Sequence, residues 1–254
     1  MSGNRLKIIT DLLDETGSVS LNELSKVFPD VSVMTLRRDL IQLENEGTVI
    51  RTHGGAVKTN KLPEFIGEES AYQARENEHK EAKKTIAKKA LAYVETGRSI
   101  FFDSGSTIMS LTNLLPDETF SIITSGVNIA EALLKKQNPS VIVLGGFANK
   151  HTFSMSGPLS STILDTLNID IAFMSASGFS FDNNFTVSNI YEAELKKKVI
   201  AKAKKVVILM DTSKINKVLP YTFAALNEVN ILITEGDLPL DIKNSIQEAA
   251  VTLI

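Results

Sequence analysis

The chain has 254 residues, no cysteine and three histidines, His53, His79 and His151, which excludes a disulfide framework, a thiolate metal site and a thiol nucleophile, and disfavours a histidine-rich metal cage. A formal net charge of -3 provides no global basic field, so any contact with nucleic acid must rest on local charge. The length suits one large domain or a small plus a medium one; with no apolar run of signal or membrane-spanning kind, the expectation is a soluble, cytoplasmic protein without membrane partner, cofactor or metal.

Leu6, Ile9 and Leu13 repeat at helical spacing, widened by Ile8 and Leu12, and predict a first helix near residues 4–16 that ends at Thr16-Gly17. Ser20-Leu21-Asn22-Glu23 has the form of a capping box opening a second helix, with Leu21, Leu24 and Phe28 inside and Pro29-Asp30 at its end. Ser32 is placed to cap a third, in which Val33, Leu36, Leu40 and Leu43 are expected to form one buried seam. Thr35, Arg38 and Gln42 then lie opposite that seam, with Arg37 at its flank. After Glu46-Gly47, residues 48–52 read as a strand, Gly54-Gly55 as a turn and Ala56-Val57-Lys58 as its return.

Three helices and a two-stranded wing over residues 1–58 define a winged helix-turn-helix, whose third helix suits a DNA major groove. Arginine can make a bidentate contact to guanine or pair with phosphate, and threonine can touch a thymine methyl or a phosphate. Candidate DNA contacts are therefore Ser32, Met34, Thr35, Arg37, Arg38 and Gln42 on the helix and Arg51, His53, Gly54 and Gly55 on the wing. Asp39 is expected to orient Arg38 or the helix itself. An isolated Arg-Arg pair would equally be a solvated face.

Residues 59–75 contain Pro63 and Gly67 and no sustained period, and read as a linker. A charged helix is expected over Glu76–Lys89, opening a larger domain of residues 76–254. There, apolar runs at 99–102, 121–123, 141–144, 171–174, 206–210 and 229–233 alternate with helical patterns, which predicts an α/β domain with a mostly parallel sheet. Small loops follow these runs: Asp103-Ser104-Gly105-Ser106-Thr107, Thr124-Ser125-Gly126, Gly145-Gly146, Ser175-Ala176-Ser177-Gly178 and Asp211-Thr212-Ser213-Lys214.

Ligands of open α/β sheets sit at the carboxyl ends of the strands, and such loops offer N–H groups to an anion, whereas a single loop of this kind most often just turns the chain and caps a helix. The Asp103–Thr107 loop is the candidate phosphate cradle, with Lys214 as countercharge. Glu194 is placed either on a sugar hydroxyl or at the surface. An alternative function is a sugar-phosphate isomerase-like enzyme with an appended DNA-binding domain, using Asp103, Glu194 and Lys214 as acid, base and cation.

Val31-Ser32 through Leu40, followed by Arg51 to Ala56, resembles the signature of the DeoR family of bacterial transcriptional regulators. The strand-end loops resemble that family's effector domain, which is similar to ribose-5-phosphate isomerase. The resemblance matches Arg75 and Lys83 to a charged lead-in, Glu194 and Lys196 to a helix, and Asp211–Lys214 to a turn of the family. It implies a regulator, most often a repressor of sugar metabolism, without a catalytic role.

The implied partners are an operator duplex and a phosphorylated sugar, held by Asp103, Ser104, Gly105, Ser106, Thr107, Thr124, Ser125, Gly145, Gly146, Lys150, Glu194 and Lys214. A homo-dimer or homo-tetramer is expected, because paired recognition helices match repeated half-sites. The chain departs from the family pattern at Ser106, where threonine is usual, at Ser125-Gly126, where an asparagine is missing after Thr124, and at Asn149, where many relatives have arginine.

Overall fold

The computed structural model describes residues 2–16, 18–45, 49–52, 55–58 and 72–254. The chain forms two compact units, Met1–Glu68 and Glu69–Ile254.

The first unit consists of α1 (Ser2–Thr16), β1 (Ser18–Ser20), α2 (Leu21–Val27), α3 (Val33–Asn45), β2 (Val49–Thr52) and β3 (Gly55–Lys58). Its core gathers Ile9 and Leu13 from α1, Leu24 from α2, Leu36, Leu40 and Leu43 from α3, and Val19, Val49 and Ala56 from the strands. The capping box forms as the sequence indicates: Ser20 Oγ accepts from Glu23 N at 3.1 Å while Ser20 N donates to Glu23 Oε2 at 2.8 Å. The Ser20 backbone N–H, and after it the Ser20 hydroxyl, which also donates to Oε2 at 2.8 Å, hold the exposed Glu23 carboxyl below its ordinary pKa.

Two expectations change. Val33 is exposed rather than part of the α3 seam; at about 100° per residue it lies at the edge of the buried face, and as the first helical residue it has no preceding turn to pack with. The wing has three strands, not two, because β1 pairs antiparallel with β3, which also pairs with β2. Gly55 is required by that pairing: a Cβ there would stand 2.0 Å from Val19 O. His53 and Gly54 lie outside the described residues, as does the side chain of Arg51.

In the second unit, α4 (Tyr72–Asn77) occupies part of the stretch read as linker and is followed by α5 (Lys80–Leu91). A seven-stranded parallel sheet forms the centre, made of β4 (Ser99–Phe102), β5 (Ser121–Thr124), β6 (Ser140–Val143), β9 (Ile169–Ser175), β12 (Ala203–Leu209), β14 (Ile231–Ile233) and β15 (Thr252–Leu253). Each of the six apolar runs supplies one strand, and β15 is additional. Alternate residues face opposite ways: Ile100, Phe102, Phe173, Val207 and Leu209 join one core, while Phe101, Ala172, Met174, Val206 and Ile208 join the other.

α5, α6 (Ser106–Leu114) and α7 (Val127–Leu134) cover the first face through Ile86, Ala90, Ile108, Leu111, Ile129 and Leu133. α8 (Pro158–Asp165), α9 (Ile190–Lys202) and α10 (Leu240–Glu248) cover the second through Leu164, Leu195, Val199, Ile242 and Ile246. Covering both faces removes the apolar surface that a parallel sheet would otherwise expose. A hairpin, β7 (Phe147–Ala148) with β8 (Met155–Ser156), and an antiparallel sheet of β10 (Gly178–Ser180), β11 (Asn184–Val187) and β13 (Tyr221–Ala224) complete the unit.

The spatial order β15-β14-β12-β9-β4-β5-β6 places the site. From β4 the chain proceeds through β5 and β6 to one edge, then returns to β9 and proceeds through β12, β14 and β15 to the other. The order reverses between β4 and β9, and the crevice beyond the carboxyl ends at such a reversal is where doubly wound sheets accept ligands.

Candidate functional site

Asp103 directly follows β4, and Ser175 ends β9, so both stand at the reversal. Asp103 is buried, and its Oδ2 accepts from Ser175 N at 2.9 Å and Ser175 Oγ at 2.8 Å. Lys196, buried on α9, donates to the same Oδ2 and to Ser175 O at 3.0 Å, with its ammonium 5.1 Å from the centre of the Phe223 ring. Asp103 is thus neutralised by a lysine and ties two strand ends together, a different task from lining an anion cradle.

The loop after Asp103 turns sharply into a helix N-terminus. Gly105 has φ of 124° and stands against Ser175, whose Oγ would lie 3.0 Å from an added Cβ. It precedes α6, whose N-terminus carries no side-chain cap, leaving backbone donors beside the buried hydroxyls of Ser106 and Thr107. Ser104 turns its carbonyl to the Ser175 hydroxyl, 2.9 Å away.

The next loops are locked to one another. Thr124 Oγ1 accepts from Gly126 N at 3.0 Å, and Ser125 O accepts from Met155 N at 2.7 Å. Gly145 O accepts from Ser160 Oγ, and Gly146, at φ 124°, would place a Cβ 2.5 Å from Ser156 O. Lys150 is exposed on the turn of the β7–β8 hairpin, and Lys214 is half-buried in a single helical turn, Thr212–Lys214, capped by Asp211.

Glu194 is exposed on α9. The carboxylate that this helix turns inward is Glu192, one turn before Lys196, which accepts from Thr152 Oγ1 at 2.9 Å and from Ser154 Oγ. Glu192 and Lys196 share the buried face of α9 with Leu195 and Val199, and their spacing from this apolar stripe is the sequence signal that marks them as inward.

The segment entering the second unit is fastened near these loops. Tyr72 N donates to His151 O at 2.8 Å, and the Tyr72 ring meets Phe153 edge-on at 5.4 Å. Phe153 O in turn accepts from Val127 N, at the start of α7. Burial, helped by the charge of Glu76, raises the Tyr72 phenol pKa, with Arg75 and Asn128 pulling the other way. Tyr72 Oη and both amide atoms of Asn128 are nonetheless buried without a completed hydrogen bond among the described residues. Lys83, also buried, donates to Arg75 O and to Glu78 O at 2.7 Å; burial lowers its pKa and the Asp211 charge opposes this.

On the first unit, Ser32 opens α3: its Oγ accepts from Thr35 N at 3.2 Å and shares a 2.9 Å hydrogen bond with Thr35 Oγ1. Met34, Arg37, Arg38 and Gln42 are exposed and Thr35 is half-buried. Asp39 does not orient Arg38. It is buried and accepts from Arg5 of α1, at 2.5 Å from Nε and 3.0 Å from Nη2, which raises the Arg5 pKa. The residue lies on the seam side of α3, which faces α1. Gly55 is buried between strands.

A helical reading head with a wing, together with an α/β unit whose sheet reverses its strand order beside glycine and serine loops, defines a two-part DNA-binding regulator. The chain belongs to the DeoR family: residues 5–61 match the model of the DeoR-like helix-turn-helix domain, and residues 78–236 match that of the DeoR C terminal sensor domain. By family it is a transcriptional regulator and not an enzyme.

The chain is 31% identical to the HTH-type transcriptional regulator GlpR of Haloferax volcanii, covering 100% of this chain and 98% of that one. It is 34% identical to the L-fucose operon activator of Haemophilus influenzae, covering 92% of each. Among solved structures it is similar to ribose 5-phosphate isomerase A from Methanocaldococcus jannaschii, at 20% identity over 54% of each chain and a TM-score of 0.40, a likeness that carries no argument about chemistry.

Proposed function

We propose that this chain represses a sugar-metabolism operon in the cytoplasm and is controlled by a phosphorylated sugar bound at the carboxyl ends of β4, β5, β6 and β9. The observation that carries this reading is the strand reversal itself, where Gly105, Ser106 and Thr107 present uncapped helix donors beside Asp103 and Ser175. Thr124, Ser125, Gly145 and Gly146 complete the rim. Ser104 shapes the first loop, Lys214 and Lys150 supply positive charge, and Glu192, rather than Glu194, supplies the inward carboxylate for a hydroxyl.

α3 reads DNA through Met34, Arg37, Arg38 and Gln42, with Ser32 and Thr35 shaping its first turn, and Arg51, His53 and Gly54 are the further candidate contacts in sequence. Two copies, as a dimer or within a tetramer, place two such helices on repeated half-sites. The relatives include both an activator and, in Escherichia coli O157:H7, a putative aga operon transcriptional repressor. A thermal-shift series with pentose and hexose phosphates and their unphosphorylated sugars tests the ligand class. Stabilisation by a phosphate ester and not by its parent sugar supports this reading; no stabilisation by any ester at millimolar concentration overturns it.

A further inference from the structure

α3 carries exposed carbon at the end that meets DNA. Its first two residues, Val33 and Met34, are 46% and 61% exposed, while Leu36, Asp39, Leu40 and Leu43 are buried. At about 100° per residue, Met34, Arg38 and Ile41 share the outward face, with Arg37 beside them. Single exposed apolar residues are ordinary on a protein surface, but here Met34 stands on the outward face and Val33, about 100° round the helix, at its edge, so that the first turn of a reading helix carries two adjacent exposed apolar side chains.

The polar groups of that turn are engaged with one another. Thr35 N donates to Ser32 Oγ, and the Ser32 and Thr35 hydroxyls share a hydrogen bond. These bonds take up part of the polar capacity of the first turn, so that much of what it offers a base edge is carbon, and what the next turn offers is the exposed guanidinium of Arg37 and Arg38. In the major groove one group on the base edges is apolar, the 5-methyl of thymine. The flanking arginines match a polyanion rather than an apolar protein surface.

We propose that Val33 and Met34 read thymine 5-methyl groups, so that the preferred duplex places thymine opposite the first turn of α3. The inference rests on the assignment of α3 as the recognition helix and adds to it the base chemistry that this turn selects.

The test begins with duplexes selected from a random pool by the full-length chain. Each thymine of the selected sequence is then replaced singly by deoxyuridine, which lacks only the methyl group. Wild type should lose about fourfold in affinity at one or two positions of each half-site, the equivalent of one buried methyl. The double variant Val33→Ser/Met34→Gln, altered at exposed positions, should bind the thymine and deoxyuridine duplexes equally.

Equal binding of every deoxyuridine duplex by wild type overturns the proposal, as does undiminished discrimination by the double variant. A pool from which no sequence is enriched overturns the recognition-helix assignment and the proposal with it. Sequence enrichment with no methyl dependence overturns the proposal alone.

Discussion

Lys196 donates to Asp103 across the point where the sheet reverses its strand order, and both side chains are buried. Removing one member leaves an uncompensated charge, so Lys196→Met should destabilise the second unit by about 3–5 kcal/mol. The double variant Asp103→Asn/Lys196→Met should recover much of that loss. Urea denaturation of the full chain, followed by a probe of the second unit, measures both; equal stability of the single variant and wild type would show that the pair does not hold the strand ends together.

The Arg5–Asp39 pair plays the corresponding part in the first unit, fastening α1 to the back of α3. Arg5→Ala leaves a buried carboxylate with fewer donors and should cost this unit about 1–3 kcal/mol. Operator affinity should fall, because the pair holds α3 in place, while the melting of the second unit stays unchanged. A variant with wild-type stability and affinity would mean that the pair does not position the helix.

Gly55 stands where β3 passes against β1, with room for no side chain. Gly55→Ala should therefore force the wing apart and destabilise the first unit by more than about 1 kcal/mol, as backbone clashes of this kind do. Hydrogen exchange of the amides of β1 and β3 reports it directly; unchanged protection would contradict the pairing.

Arg37 and Arg38 are exposed on the outward side of α3. If one of them contacts phosphate, its replacement by alanine should weaken binding to all duplexes alike and reduce the slope of log affinity against log salt by about one. If it contacts guanine, the same change should relax preference at one base pair. Neither effect in either variant would remove α3 from the interface.

The legible parts of this fold were those with long or periodic apolar patterns. The runs at 99–102 and 206–210 identify themselves as strands because a parallel sheet needs carbon on both faces. β1 and β15 do not, since Ser18-Val19-Ser20 and Thr252-Leu253 are too short to carry a period. Glu192 was missed for another reason: in Tyr-Glu-Ala-Glu-Leu-Lys-Lys-Lys charge dominates, and the inward Glu192 is told from the outward Glu194 by its spacing from the buried Leu195 and Val199 of α9. The Asp103–Ser175 contact spans 72 residues and follows from strand order, which local sequence does not encode.

On the proposed function, a phosphorylated sugar at the strand ends alters the hold of α3 on DNA, which requires the ligand to favour one of two states. The direct measurement is the operator affinity of the full chain, titrated with pentose and hexose phosphates and with the corresponding free sugars, for wild type and Thr107→Ala. At least one ester should change wild-type affinity by about fivefold or more, its free sugar should not, and Thr107→Ala should bind operator normally yet fail to respond. No response to any ester, or a full response from Thr107→Ala, would contradict the account.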